Sequence, residues 1–276
     1  MRRCSVGAGW ALALLLQGAG AGAQTPAQGA LSLPEAWENA DGDELDELIQ
    51  RAALGNPQAG TRNVSAVLLR GTSPRVAATA LDALAAMGRP EAAPVIERFL
   101  EHHRPSLRMH AIDAAGVLHT PSLVRALEAR LGDPEPAVRA RAAWRLGEVG
   151  SRANTPRLWL ALDRDLTASA TARGNVTTFM HALVVSLARL GNTEDLDRLL
   201  AYLRRVPFPA MADAFRAVLD RRDVQDPVKI RVVQALGNLG TREAREFLSA
   251  WAGAQPAGRA PPNPVVAAAR TAAGRI

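Results

Sequence analysis

Five histidines, 27 carboxylates and one cysteine are the groups with which this chain could do acid–base, nucleophilic or metal chemistry. Their spacing does not favour it. His102, His103 and His110 could be imagined around a metal, but the first two are adjacent on a turn and splay apart, and Glu101 is the nearest acid. His119 stands where other segments end in glycine, and His181 falls near the inward face of an apolar helix. Asp82 and Asp113 lie 31 residues apart and could present paired carboxylates. The next member of that series is Trp144, so repetition already explains the pairing, and a solvated face is the expectation. No Gly-x-Ser-x-Gly elbow, phosphate loop or His-Glu-x-x-His occurs. No catalytic residue, metal site or cofactor is expected.

The elements that position these residues repeat. Pro74, Pro105 and Pro136 open segments at a constant offset of 31 residues, and columns hold register through them. Leu45, Val76, Leu107 and Val138 form one column; Ile49, Ala80, Ala111 and Ala142 form the next. Ala53, Leu84, Ala115 and Leu146 form a third, and Leu69, Leu100, Leu131 and Leu162 a fourth in the following helix. Within a unit, Val138, Ala142, Ala143 and Leu146 share one helical face. Gly-Asp-Pro at 132–134 breaks the chain before that helix and Gly150 ends it. Two short helices cannot bury their apolar faces alone, whereas stacked pairs can. The pattern therefore predicts an all-α solenoid of helix–turn–helix units.

Asp133 to Gly150 (DPEPAVRARAAWRLGEVG) and Asp226 to Gly240 resemble the second helix of HEAT repeats, in particular the short repeats of the phycobilin-lyase type. The resemblance implies that the arginine after the valine pairs with the turn aspartate of a neighbouring repeat. Arg139 and Asp133 match those positions, as do Lys229 and Asp226 in the later copy. In the second unit Arg108 has its counterpart, but His102 stands in place of the aspartate. The resemblance also implies that second helices line a concave binding surface. There, His110, Arg141, Trp144 and Arg145 lie one step off the buried stripe, and an Arg-rich face beside a Trp has the composition of an interface hot spot. The bland expectation is that these arginines pair with Glu135 and Glu148.

Residues 1–23 read as a signal peptide, with Arg2 and Arg3, an apolar run from Trp10 to Leu16, and Ala21-Gly22-Ala23 before the cut. Export to a periplasmic or extracellular space is the expectation, and the chain from Gln24 onward has no cysteine to oxidise. Residues 24–40 read as a leader and a short acidic capping helix, started by Ser32-Leu33-Pro34-Glu35, with Trp37 turned inward. Residues 41–276 read as the solenoid, regular to about 162 and irregular afterwards. Residues 163–175 are expected to form a protruding polar loop, Ala210 to Arg222 a helix, and 264–276 a terminal helix.

Charge is unevenly spread. Residues 35–47 carry seven acids and no base, whereas 48–276 carry 31 bases and 20 acids. Such a body can attract anions, but no aromatic-and-basic interleaving of the single-strand-binding kind occurs, so nucleic acid is not expected. The reading is an exported, non-catalytic interaction scaffold that binds a protein partner. Its alternatives are an enzyme or enzyme subunit like the bilin lyases, and an envelope protein binding anionic surfaces.

Overall fold

The computed structural model describes residues 33–170, 177–202, 208–255 and 263–275. The proposed signal segment at 1–23 and the leader up to Ser32 lie outside them, as do 171–176 of the expected loop. Every regular element among the described residues is helical. A short helix α1 (Glu35–Asn39) precedes α2 (Gly42–Leu54) and α3 (Pro57–Arg70). Then follow α4 (Pro74–Met87), α5 (Ala93–Leu100), α6 (Pro105–Leu118), α7 (Pro121–Arg130), α8 (Pro136–Val149) and α9 (Thr155–Ala170). The second half holds α10 (Thr178–Leu190), α11 (Thr193–Ala201), α12 (Phe208–Asp220), α13 (Asp226–Asn238), α14 (Arg242–Ala254) and α15 (Pro264–Arg275). None of these helices is long and apolar enough to cross a membrane.

The helices form two layers. The second helices α2, α4, α6, α8, α10 and α12 pack side by side in that order, and α3, α5 and α7 pack behind them. Pro74, Pro105 and Pro136 each occupy the first helical position, where a missing N–H costs nothing. Members of the first two columns are all buried, because helix-on-helix stacking needs one small or branched side chain there in every unit. The outer column departs once: Leu100, Leu131 and Leu162 are buried, but Leu69 is 46% exposed. In α3 the buried face is carried by Val64, Val67 and Leu68. His119 takes the place and the left-handed backbone of a terminal glycine (φ 36°), and its Nδ1 lies 2.8 Å from the Val117 carbonyl oxygen.

The polar segment after Asp163 departs from the expected loop. Through Ala170 it extends α9, because Leu166 continues the stripe of Leu158 and Leu162 into the core. Asp163 is anchored by Arg198 at 2.8 Å and by the Tyr202 hydroxyl. Helix α12 begins at Phe208, so Pro209 sits in its first turn instead of preceding it. At the front, Trp37 is buried as expected, and the Arg70 guanidinium donates to the Trp37 and Glu38 carbonyls. At the end, Asn263 Oδ1 accepts the Val265 and Val266 N–H groups and caps α15.

The inter-repeat pairing is corrected in one partner. Asp133 does bridge repeats, but to Arg108 of the preceding unit: Arg108 Nε and Nη2 donate to its two carboxylate oxygens at 2.8 and 2.7 Å. Both side chains are buried, at 8% and 0% exposure. Arg108 Nη1 also donates to the carbonyls of His102 and His103, so one guanidinium ties its own turn to the next. Arg139 keeps only half of this device. It donates to the Asp133 and Pro134 carbonyls of its own turn, and its guanidinium then lies 5.3 Å from the Phe179 ring. The α9 extension leaves no turn aspartate in reach. Lys229 likewise donates to the Leu219 carbonyl at 2.7 Å, and Asp226 stands exposed at the start of α13.

Removing one partner of a buried ion pair strands the other charge, which costs about 3 to 5 kcal/mol. Arg108→Ala is therefore expected to lower stability by that amount, and Arg139→Ala by about 1 kcal/mol, the loss of its turn hydrogen bonds. Urea unfolding of both variants checks this; equal shifts would deny Arg108 its bridging role.

Candidate interaction surface

A ladder of polar pairs crosses the exposed edge of the second-helix layer. Its steps follow from the 31-residue repeat, which places a carboxylate on one helix opposite a cation on the next. His110 Nδ1 on α6 lies 2.8 Å from Asp82 Oδ1 on α4. Arg145 on α8 is held by Asp113 of α6 at 2.9 Å and by Glu148 of its own helix at 2.8 Å. Glu148 also accepts the Trp144 indole N–H at 3.1 Å. The Trp144 ring meets His181 of α10 edge-on, with centroids 6.3 Å apart, and His181 Nε2 lies 3.1 Å from Asp213 of α12. Asp82 and Asp113 are thus engaged with cations of the following unit.

Glycines make room for these steps. A β-carbon at Gly116 would come within 2.7 Å of Arg145 Cδ, so the glycine leaves α6 open for that side chain to reach Asp113. At the next step Ser186 of α10 sits over Gly147, and its hydroxyl donates to the Ala143 carbonyl at 2.7 Å, drawing α8 and α10 together. Burial opposes the charge on Arg145, but its hydrogen bonds to Glu148 and Asp113 outweigh that and raise its pKa above the ordinary arginine value.

The four expected binding residues separate into two pairs. His110 and Arg145 are committed to the ladder. Arg141 and Trp144 line an open groove of about 750 Å³. Arg141 is 47% exposed, and its nearest acid is Asp113 at 3.7 Å, already bonded to Arg145. Trp144 is half-buried, with the Arg189 guanidinium 4.8 Å from its ring centre. Met109, Phe179, Thr178 and His181 complete the groove. Phe179 and His181 escaped sequence reasoning as binding residues because they belong to the unit whose start is displaced: α10 begins 42 residues after α8. The insertion that lengthens α9 opens this groove.

Elsewhere, His102 and His103 stack at 4.2 Å, and the described residues contain no group of three or more side chains suited to hold a metal. Trp159 and Trp251 are buried, with their indole N–H groups donating to Asp195 and Asp220.

Comparison with protein-family models finds HEAT repeats over residues 61–135, so the region from α3 to the α7–α8 turn carries HEAT repeats. Comparison with curated proteins finds no match. Among solved structures, human deoxyhypusine hydroxylase in complex with glycerol is similar at 18% identity, covering 84% of this chain and 89% of that one. Its TM-score of 0.35 carries no argument for a shared activity.

The ladder separates the arginines energetically. Arg145→Ala removes charge-assisted hydrogen bonds to two acids and is expected to cost about 1 to 2 kcal/mol. Arg141→Ala is expected to change stability by less than about 0.5 kcal/mol. Thermal or urea unfolding of the two variants measures the difference, and equal costs would contradict the assignment.

Proposed function

We propose that this protein is an exported, non-catalytic scaffold that holds a segment of a protein partner in the groove between α8 and α10. The observation that carries the reading is the pairing of a half-exposed Trp144 with a poorly neutralised Arg141 at the break in the repeat. Aromatic and arginine side chains at the centre of a pocket are where binding energy concentrates. HEAT repeats over 61–135 support a scaffold role. The non-catalytic part rests on the ladder: the carboxylates best placed for acid–base work, Asp82 and Asp113, each face a cation. Export rests on the sequence of residues 1–23 and on a cysteine-free chain after Ala23.

Capture tests the reading. The chain from Gln24 onward is immobilised and exposed to the envelope and secreted fractions of its source. The expected result is one protein retained at high salt by the wild type and lost by Arg141→Glu combined with Trp144→Ala. A hot-spot loss of about 2 kcal/mol or more weakens binding at least about thirtyfold. Retention unaffected by the pair of substitutions rejects the groove. Retention of many anionic species only at low salt rejects a specific partner. Sequencing the amino terminus of exported material is expected to begin at Gln24, and material beginning at Met1 would contradict cleavage.

A further inference from the structure

A second groove, of about 730 Å³, lies on a different part of the solenoid, between the α3–α4 turn and the α5–α6 turn. Its apolar lining includes Leu69, the outer-column residue that stays 46% exposed where its repeat counterparts are buried. Phe99 adds an aromatic wall, with His102 stacked on it at 2° and 5.4 Å between ring centres. His103 lies against the other side of that stack. Arg98 and Arg104 also line the groove, are exposed, and have no ion-pair or side-chain hydrogen-bond partner. The one lining acid, Glu101, is 77% exposed and directed to Arg130 at 3.9 Å. Arg70 is already held by the carbonyls of Trp37 and Glu38.

This groove is held in shape by the buried pair described above. Arg108, fixed by Asp133, grips the His102 and His103 carbonyls and so sets the turn that carries both rings and Arg104. His102 Nδ1 accepts the Arg104 backbone N–H at 3.1 Å, which leaves the proton on Nε2 as a donor. Burial first, and then the nearby His103, Arg104 and Arg108, lower the His102 pKa and keep that ring neutral at neutral pH. The volume lies within the ~300–1,000 Å³ range of sites that enclose extended ligands. It joins free positive charge to an exposed aliphatic floor.

We propose that this groove docks an acidic peptide segment bearing aliphatic side chains, its carboxylates on Arg98 and Arg104 and an aliphatic group against Leu69 and Phe99. A small anion alone would leave Leu69 exposed. The charge complementarity favours a peptide that supplies both features, and the site is independent of the α8–α10 groove.

The probe is a short fluorescein-labelled peptide of alternating glutamate and leucine, followed by fluorescence anisotropy against the chain from Gln24 onward. Saturable binding is expected, weakened about tenfold or more by Arg98→Glu with Arg104→Glu and about as much when glutamine replaces glutamate in the peptide. Leu69→Asn is expected to weaken binding with the charges intact, and Arg141→Glu to leave it unchanged. Both substituted arginines are exposed, so circular dichroism should show unaltered helicity. Four results would each overturn the proposal: no saturation by the acidic peptide, equal binding of the glutamine peptide, equal binding by the double variant, or displacement by inorganic phosphate as readily as by unlabelled peptide. Preferential binding of phosphatidylglycerol vesicles over the peptide would overturn it in favour of a membrane surface.

Discussion

The buried pair between Arg108 and Asp133 is the constraint on which the middle of this solenoid depends. Taking two charges out of water is unfavourable unless their donors and acceptors are satisfied. Here they are: the carboxylate receives two guanidinium N–H groups and the Glu135 backbone N–H, and the remaining guanidinium nitrogen caps two turn carbonyls. The result is a joint between one unit's turn and the next that works in only one register. Apolar stacking supplies the bulk of the adhesion, but Ala, Val and Leu columns tolerate sliding; a bidentate pair does not.

The same logic, weaker and nearer the solvent, runs along the second-helix edge. Asp82 with His110, Asp113 with Arg145, and Asp213 with His181 each connect one helix to its neighbour. These contacts hold the edge rigid and leave few charges free for a ligand. Binding capacity is therefore concentrated where the joints fail. Arg139 lacks a next-turn aspartate and turns to Phe179. Arg141 shares an acid that is already used, and the lengthened α9 holds α10 away from the regular spacing. A groove results at that step, with an aromatic and a cationic side chain in it.

Much of this architecture was legible in the residues. The proline spacing and the first two columns specified the layer of second helices, because a stacked interface admits only small or branched side chains at those positions. The partner of Asp133 was harder to read. A repeat pattern shows which residue types belong to a joint, but the reach of the arginine decides which unit it joins. The segment after Asp163 looked like a loop because polar residues dominate it, yet Leu166 alone, at helical spacing, was enough to bury one face and prolong α9. Arg141 and Trp144 could be found from their distance to the buried stripe. Phe179 and His181 could not, since the 42-residue step removes them from the register that exposes the others. Leu69 occupies a core column by sequence and a groove wall in space, because α3 turns Val64, Val67 and Leu68 inward instead.

Hydrogen exchange, resolved by segment and compared between the wild type and Arg108→Ala, tests the central claim most directly, because it shows where a broken joint is felt. A stack held by neighbour-to-neighbour joints should lose protection on both sides of the break, in α5 to α8 and in the 101–104 turn, while α13 to α15 exchange as before. Loss confined to the first turn of α6, or spread evenly over all helices, would contradict the role given to this pair.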